Sequence, residues 1–142
     1  MNILKKIFLT LFIYLSIISN SNAGSYGKGE LKLSYSTVDF FIQYIKGKSE
    51  MSPGTFVVTT DGEGSYYWYC SDGVGNCQPG SFKQMELKCE QYWQKECKAF
   101  AFQRTIKWKN GINPGKGKAS RINSKWSDAE IRDKLRELGF VD

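Results

Sequence analysis

The four cysteines constrain the fold of this chain most, because all of them lie in one central stretch: Cys70, Cys77, Cys89 and Cys97. Redox centres usually place two residues between paired cysteines, and a zinc site built from four cysteines normally contains at least one tight pair. Neither spacing occurs here, and the chain has no histidine that could complete a mixed zinc site. The cysteines therefore indicate structural disulfide bonds, which are typical of exported proteins.

Four cysteines can pair in three ways. Loop-closure entropy does not select one of these pairings. The stabilisation it predicts for a disulfide is about 2.5 kcal/mol for a loop of about 9 residues and about 3.3 kcal/mol for a loop of about 20 residues. Local geometry favours disulfides between cysteines that follow one another in the sequence. We expect Cys70 to pair with Cys77 across a turn rich in glycine, and Cys89 on a helix to pair with Cys97 at the start of the next strand.

Residues 1–23 have the layout of a cleavable signal peptide. Lys5 and Lys6 precede an apolar run, Ile7 to Ile18, which is shorter than the roughly 20 residues that a membrane-spanning helix needs. This length disfavours the alternative of an uncleaved anchor. Cleavage after Ala23 predicts a single exported domain, residues 24–142, with no transmembrane anchor, either periplasmic or secreted.

Hydrophobic periodicity and turn residues predict an α+β fold, with a small antiparallel sheet of two β-hairpins packed with helices, two disulfides and a C-terminal helix. Ser36 and Ser127 are the expected N-caps of the first and last helices, and Gly47 and Gly139 are expected to end them. The predicted helices are Thr37 to Lys46, about Phe82 to Trp93, and Asp128 to Leu138, and the predicted strands are Thr55 to Thr60, Ser65 to Cys70, Cys97 to Phe102 and Thr105 to Lys109.

The second hairpin also has a predicted register. If Gln103 and Arg104 form its turn, Ala101 lies opposite Ile106 and Ala99 lies opposite Trp108. Strict alternation would then place five residues on one face of the sheet, beneath the second helix: Cys97, Ala99, Ala101, Ile106 and Trp108. Gln-Arg is a poor sequence for a two-residue turn, so this register depends on the alternation alone.

The chain from Cys89 to Asn110 carries a Cys-x7-Cys spacing followed by Ala-Phe-Ala-Phe and Arg-Thr-Ile-Lys-Trp-Lys-Asn. In these motifs it resembles an uncharacterised family of small disulfide-containing exported bacterial proteins. The resemblance extends through Ile112 to Lys118 and into the last helix. It implies a location in the cell envelope or outside the cell, and it implies no activity, substrate or catalytic residue.

The absence of histidine excludes Ser-His-Asp and Cys-His catalytic sites and most catalytic zinc sites. A pair of carboxylates, as in glycosidases, would still be compatible with this composition. Glu86 and Glu90 share a face of the second helix, but we expect them to be solvated surface acids because nothing in the sequence desolvates them. We predict no catalytic residue, no metal site and no cofactor.

A basic, glycine-rich loop, residues 111–126, is the candidate binding segment. Its first part does not match a phosphate-binding loop, because Lys116 stands where the second glycine is required. The predicted ligand-binding residues are the cations of residues 107–125, together with one tryptophan: Lys107, Lys109, Lys116, Lys118, Arg121, Lys125 and Trp108. They could bind phosphate or carboxylate groups of an anionic polymer. The alternative is a solvated loop that only keeps the domain soluble.

The run Tyr66-Tyr67-Trp68-Tyr69 is unusually aromatic. Alternation sends Tyr66 and Trp68 to one face of the strand and Tyr67 and Tyr69 to the other. Tyr67 and Tyr69 could form an exposed aromatic platform, but we favour their being covered by the first helix.

These observations predict an exported, non-enzymatic binding or structural module of the bacterial cell envelope that contacts an anionic envelope polymer or an envelope protein. The alternatives are an envelope polysaccharide hydrolase that uses carboxylates, and a protein-interaction module that docks through Tyr67 and Tyr69 or the last helix. Removal of Lys5 and Lys6 would lower the formal net charge of +6 to +4, which is too small to indicate nucleic acid as a partner.

Overall fold

A computed structural model describes residues 25–47, 51–71 and 82–142. The elements follow in the order α1 (Tyr35–Lys46), β1 (Met51–Thr59), β2 (Ser65–Ser71), α2 (Lys83–Trp93), β3 (Cys97–Phe102), β4 (Thr105–Ile106), a 3₁₀ turn (Lys118–Ser120) and α3 (Asp128–Glu137). The strands form one antiparallel sheet in the order β2-β1-β3-β4. The α+β prediction is therefore confirmed, whereas the predicted signal peptide lies outside the described residues.

The sheet has a hydrophobic core on each face. Phe56 and Val58 of β1 pack with the buried faces of α1 and α3, while Val57, between them, packs with α2. This alternation is what the period of a β-strand requires. Within the described ranges, no helix is long and apolar enough to cross a membrane.

The two flanking helices of the larger core begin and end at capping residues. Ser34, not the expected Ser36, caps α1 by accepting a hydrogen bond from the backbone N–H of Thr37 at 3.2 Å. Ser127 caps α3 as expected and forms a capping box with Glu130. Ile131 of α3 is fully buried. The last helix therefore docks on the domain rather than extending from it.

One disulfide joins α2 to β3. Cys89 and Cys97 are bonded, with their Cα atoms 6.1 Å apart, which confirms this predicted pair. Both residues are fully buried in the smaller core. Cys77 lies outside the described residues, so the second predicted disulfide, Cys70 with Cys77, stays a prediction.

A β-bulge at Phe100 corrects the predicted facing of the second hairpin. The predicted turn and the pairing of Ala101 with Ile106 are confirmed. However, the consecutive β1 residues Phe56 and Val57 pair with Ala101 and Ala99, so Phe100 is an extra residue in β3. The extra residue shifts the alternation, so Ala101, Ile106 and Trp108 join the α1–α3 core while Cys97 and Ala99 lie under α2. On the side of β3 that faces away from β1, the backbone N–H groups of Lys107 and Trp108 both donate to the Phe100 carbonyl oxygen, at 2.8 and 3.1 Å.

This bulge also shortens the last strand. The predicted strand Thr105 to Lys109 ends at Ile106, and Lys109 instead forms an isolated bridge with Lys28. The chain thus leaves the sheet immediately before the basic loop.

Candidate anion-binding cleft

A buried asparagine holds the basic loop in a fixed shape. The side-chain amide of Asn113 donates to the carbonyl oxygens of Ile106, at 3.1 Å, and Trp108, at 2.6 Å. Its side-chain oxygen accepts a hydrogen bond from the Ser120 hydroxyl at 2.6 Å, and that hydroxyl accepts one from the backbone N–H of Lys116 at 3.1 Å. Asn113 and Ser120 are both buried. Residues 113–120 are therefore closed by an internal polar network.

The end of this loop is joined to the turn of the second hairpin. Arg121 forms an antiparallel bridge with Thr105, and the backbone N–H of Ile122 donates to the Arg104 carbonyl oxygen at 2.8 Å. Ile122 is fully buried, which anchors this contact. The pairing brings Arg121 beside Arg104, although the two residues come from different segments.

A cleft of about 690 Å³ lies at this junction, between the hairpin turn, the loop and α3. Its lining residues are Arg104, Lys118, Ala119, Arg121, Ile122, Asn123, Ser124, Trp126, Lys134 and Glu137. Four of them are cationic. Glu137 is the one acid among the lining residues that the structure describes, and it forms an ion pair with Lys134 at 3.0 Å. The cleft therefore carries an excess of positive charge.

The cations at the centre of the cleft are not neutralised by the protein. Among the described residues, Arg104, Lys118 and Arg121 form no ion pair. The cations of α3, in contrast, are all paired, Arg132 with Asp39, Lys134 with Glu137 and Arg136 with Asp133. Unpaired cations in a concave surface attract anions more strongly than the same charges dispersed over a flat surface.

Arg104 is also held in a defined orientation. Its Nε–H donates to the Ile45 carbonyl oxygen of α1 at 3.0 Å. No further hydrogen bond of this guanidinium is formed within the part of the chain that the structure describes. The remaining N–H groups can therefore bind a planar carboxylate or a phosphate.

A second, smaller depression of about 160 Å³ adjoins the cleft. It is lined by Ser52, Pro53, Gln103, Arg104, Thr105 and Arg121. Because Arg104 and Arg121 line both depressions, the two arginines lie where the depressions meet. The two depressions thus form a continuous surface with Arg104 and Arg121 at their junction.

The predicted ligand-binding residues are only partly brought together. Lys118 and Arg121 line the cleft, whereas Lys107, Lys109, Lys116 and Lys125 do not. Arg104 and Lys134 were missed because they come from a turn and a helix that only the tertiary fold brings beside the loop; for Arg104, the pairing of residues 121–122 with residues 104–105 does this. Trp126, the last residue of the basic loop, lines the cleft although it was not among the predicted ligand-binding residues.

Trp108 requires a correction. Its side chain is 2% exposed, its Nε1–H donates to the Gly29 carbonyl oxygen at 2.8 Å, and it packs in the larger core. A Cβ atom added at Gly27 would lie 2.0 Å from the indole ring, so the ring also covers this segment closely. The indole is therefore a core group and does not line the basic cleft.

Within the aromatic run of β2, Tyr67 and Tyr69 lie against α1, as the favoured interpretation stated. Tyr67 stacks on Phe56 with ring centroids 5.4 Å apart, and the Tyr69 hydroxyl donates to the Gln43 carbonyl oxygen at 3.0 Å. The more exposed aromatic side chains include Phe40 and Tyr92, which line a shallow depression with other aromatic residues of β2 and α2.

The two acidic side chains of α2 accept hydrogen bonds from the backbone of β3. Glu86 is 1% exposed and accepts a hydrogen bond from the backbone N–H of Ala99 at 3.2 Å. Glu90 accepts one from the backbone N–H of Cys97 at 3.3 Å. The expectation that both acids are solvated is therefore wrong for Glu86, because α2 lies directly over the edge of β3 and covers its carboxylate.

No protein-family model, curated protein or solved structure matches this chain. Within the described ranges, no group of three or more histidine, cysteine, aspartate or glutamate side chains could hold a metal ion. The chemistry of the cleft itself therefore carries the functional argument.

Proposed function

We propose that this protein is an exported binding module of the bacterial cell envelope that holds an anionic polymer in its basic cleft. The observation that carries the proposal is the convergence of Arg104, Lys118 and Arg121, which have no acidic partner among the described residues and line one cleft. A protein rarely concentrates unpaired cations in a concavity without an anionic partner, since their mutual repulsion destabilises the folded state.

A polymer suits this surface better than a single small anion. The two depressions meet at Arg104 and Arg121, so a chain could lie across both while its acidic groups contact the arginines. Guanidinium groups bind carboxylate and phosphate in a bidentate manner. Envelope polymers such as lipopolysaccharide, teichoic acid and the peptide stems of the cell wall supply these groups.

The exported location remains part of the proposal. The signal-peptide layout of residues 1–23 and the Cys89–Cys97 disulfide support a periplasmic or secreted protein, because disulfides persist in oxidising compartments. The resemblance to small exported bacterial proteins agrees with it.

The contacts of the α2 acids do not favour the hydrolase alternative. Glu86 and Glu90 are engaged with the backbone of β3, and neither lines the basic cleft. The protein-interaction alternative through Tyr67 and Tyr69 loses support because both residues lie against α1.

The test is co-sedimentation of the oxidised mature protein with isolated cell-wall sacculi and with outer-membrane vesicles, across a salt series. We expect binding that weakens as salt rises, because exposed charges are screened over about 8 Å at physiological ionic strength. The supernatant is assayed for released sugar or peptide fragments, and none is expected. Absence of binding at low salt, or release of fragments, would contradict the proposal.

A further inference from the structure

Trp126 gives the cleft an aromatic wall beside its cations. Its backbone N–H donates to the Asn123 carbonyl oxygen at 3.1 Å, and the Asn123 side chain accepts a hydrogen bond from the backbone N–H of Lys125 at 2.9 Å. These bonds fix the turn that carries the indole. Trp126 is half-buried, packing against the larger core on one side while lining the cleft on the other.

The cleft also contains one group that an all-acceptor polyanion would not bind. Asn123 and Ser124 line it as neutral polar residues that can both donate and accept, and Glu137 contributes a carboxylate, which only accepts. The Glu137 carboxylate repels the oxygens of a polyphosphate and the side-chain carboxylates of an acidic polypeptide. Sugar hydroxyls both donate and accept, so they can bind a carboxylate, an amide and a hydroxyl alike.

We infer that the ligand is an acidic sugar unit, whose ring lies on the Trp126 indole while its carboxylate or phosphate is held by Arg104 and Arg121. This inference rests on the proposed function and narrows it from polyanions in general to acidic glycans. The apolar face of a sugar ring buries against an aromatic face, and the arginines supply the charge recognition that the indole lacks. Carboxylate and phosphate are the two sources of the required charge.

The experiment measures affinities for three soluble polymers at low salt: polygalacturonate, a phosphomannan and poly-L-glutamate. Trp126→Leu retains an apolar side chain against the core and removes the aromatic face. We expect this variant to bind whichever acidic glycan the wild type prefers about tenfold more weakly, corresponding to roughly 1.4 kcal/mol, with its affinity for poly-L-glutamate unchanged. The preference between polygalacturonate and phosphomannan identifies the acidic group.

Trp68→Leu is the matched control, since Trp68 is 36% exposed on β2 and does not line the cleft. It should leave all three affinities unchanged. A measurement on the wild type makes the test independent of the variant's folding: the indole N–H resonance of Trp126 should shift on addition of galacturonate or phosphomannose oligomers.

The outcomes separate the two proposals. Equal weakening of glycan and poly-L-glutamate binding in Trp126→Leu, or an unmoved Trp126 resonance at saturating oligomer, would overturn the acidic-sugar inference and leave the anionic-polymer proposal standing. Failure of the wild type to bind any of the three polymers at low salt would overturn both.

Discussion

The backbone N–H of Ile122 donates to the carbonyl oxygen of Arg104, and with the Arg121–Thr105 bridge this contact joins the basic loop to the turn of the second hairpin. It places the side chains of Arg104 and Arg121 along the same two depressions. The cationic surface is therefore a product of tertiary pairing and not of the local density of lysines in the sequence.

The shape of the basic loop should depend on Asn113. Asn113→Asp replaces two N–H donors by a carboxylate that faces the carbonyl oxygens of Ile106 and Trp108. We expect a loss of about 3 kcal/mol in the free energy of unfolding, measured by urea denaturation at pH 7, because buried charged groups left unsatisfied cost this much or more.

Asn123→Asp is the control for this substitution. Asn123 is exposed and uses its side-chain oxygen as an acceptor for the Lys125 N–H, which a carboxylate can replace. Its stability should change by less than about 0.5 kcal/mol. Equal stability of the two variants would show that the Asn113 network does not hold the loop.

The Glu86 carboxyl should make the fold less stable as pH rises. Burial raises the pKa of Glu86 above its ordinary value of 4.5, although the backbone N–H of Ala99 and the nearby lysines Lys98 and Lys83 partly oppose this. The folded state then keeps this proton to a higher pH than the unfolded state. The protonated Glu86 carboxyl therefore contributes its full share to the free energy of unfolding below pH 4.5. This contribution is lost as the pH rises through the pKa of Glu86 in the folded state.

Glu86→Gln removes this titration while keeping an oxygen for the Ala99 N–H. Relative to the wild type, its free energy of unfolding should increase from pH 4 to pH 7, as followed by urea denaturation at several pH values. The exposed acid Glu96, changed to glutamine, serves as the matched control for the substitution. The same pH dependence in both variants, or a flat difference for Glu86→Gln, would rule out the buried-carboxyl account.

The Cys89–Cys97 disulfide should stabilise the domain substantially. Replacing both cysteines by alanine opens a loop of about nine residues, which the chain-entropy relation values at roughly 2.5 kcal/mol. We expect at least this loss of unfolding free energy in urea denaturation, because Cys89 and Cys97 are also fully buried.

Disulfide mapping by mass spectrometry of the oxidised wild type should also find the predicted Cys70–Cys77 bond, and a Cys70–Cys89 or Cys70–Cys97 peptide would contradict the pairing.

Local sequence patterns predicted the positions of the helices and strands better than the face of the sheet on which each side chain lies. The β3–β4 turn and the Ala101–Ile106 pair follow from strand length and alternation, and the cap of α3 follows from Ser127. The bulge at Phe100 leaves no trace in the alternation of Ala-Phe-Ala-Phe, because alanine and phenylalanine are both acceptable in a buried strand. Ala101, Ile106 and Trp108, which lie beyond the bulge, were therefore assigned to the wrong face of the sheet.

The candidate site was predictable only where it is local. Lys118 and Arg121 belong to the basic segment and were identified from its charge. Arg104 and Lys134 join them through contacts between distant parts of the chain, which no spacing rule anticipates. Trp108 was chosen because it flanks the lysines, although the predicted register already placed it on a covered face of the sheet, and the bulge at Phe100 changes only which core it joins.

The central claim is that the cleft, and not the general basicity of the loop, binds the anionic polymer. Two double variants with the same change in net charge test it, Lys118→Glu with Arg121→Glu, which lie in the cleft, and Lys116→Glu with Lys125→Glu, which are exposed outside it. Their binding to sacculi and vesicles is compared at low salt, with melting temperatures recorded. We predict that the first pair abolishes binding and the second retains most of it. Equal losses in the two pairs would contradict a specific cleft.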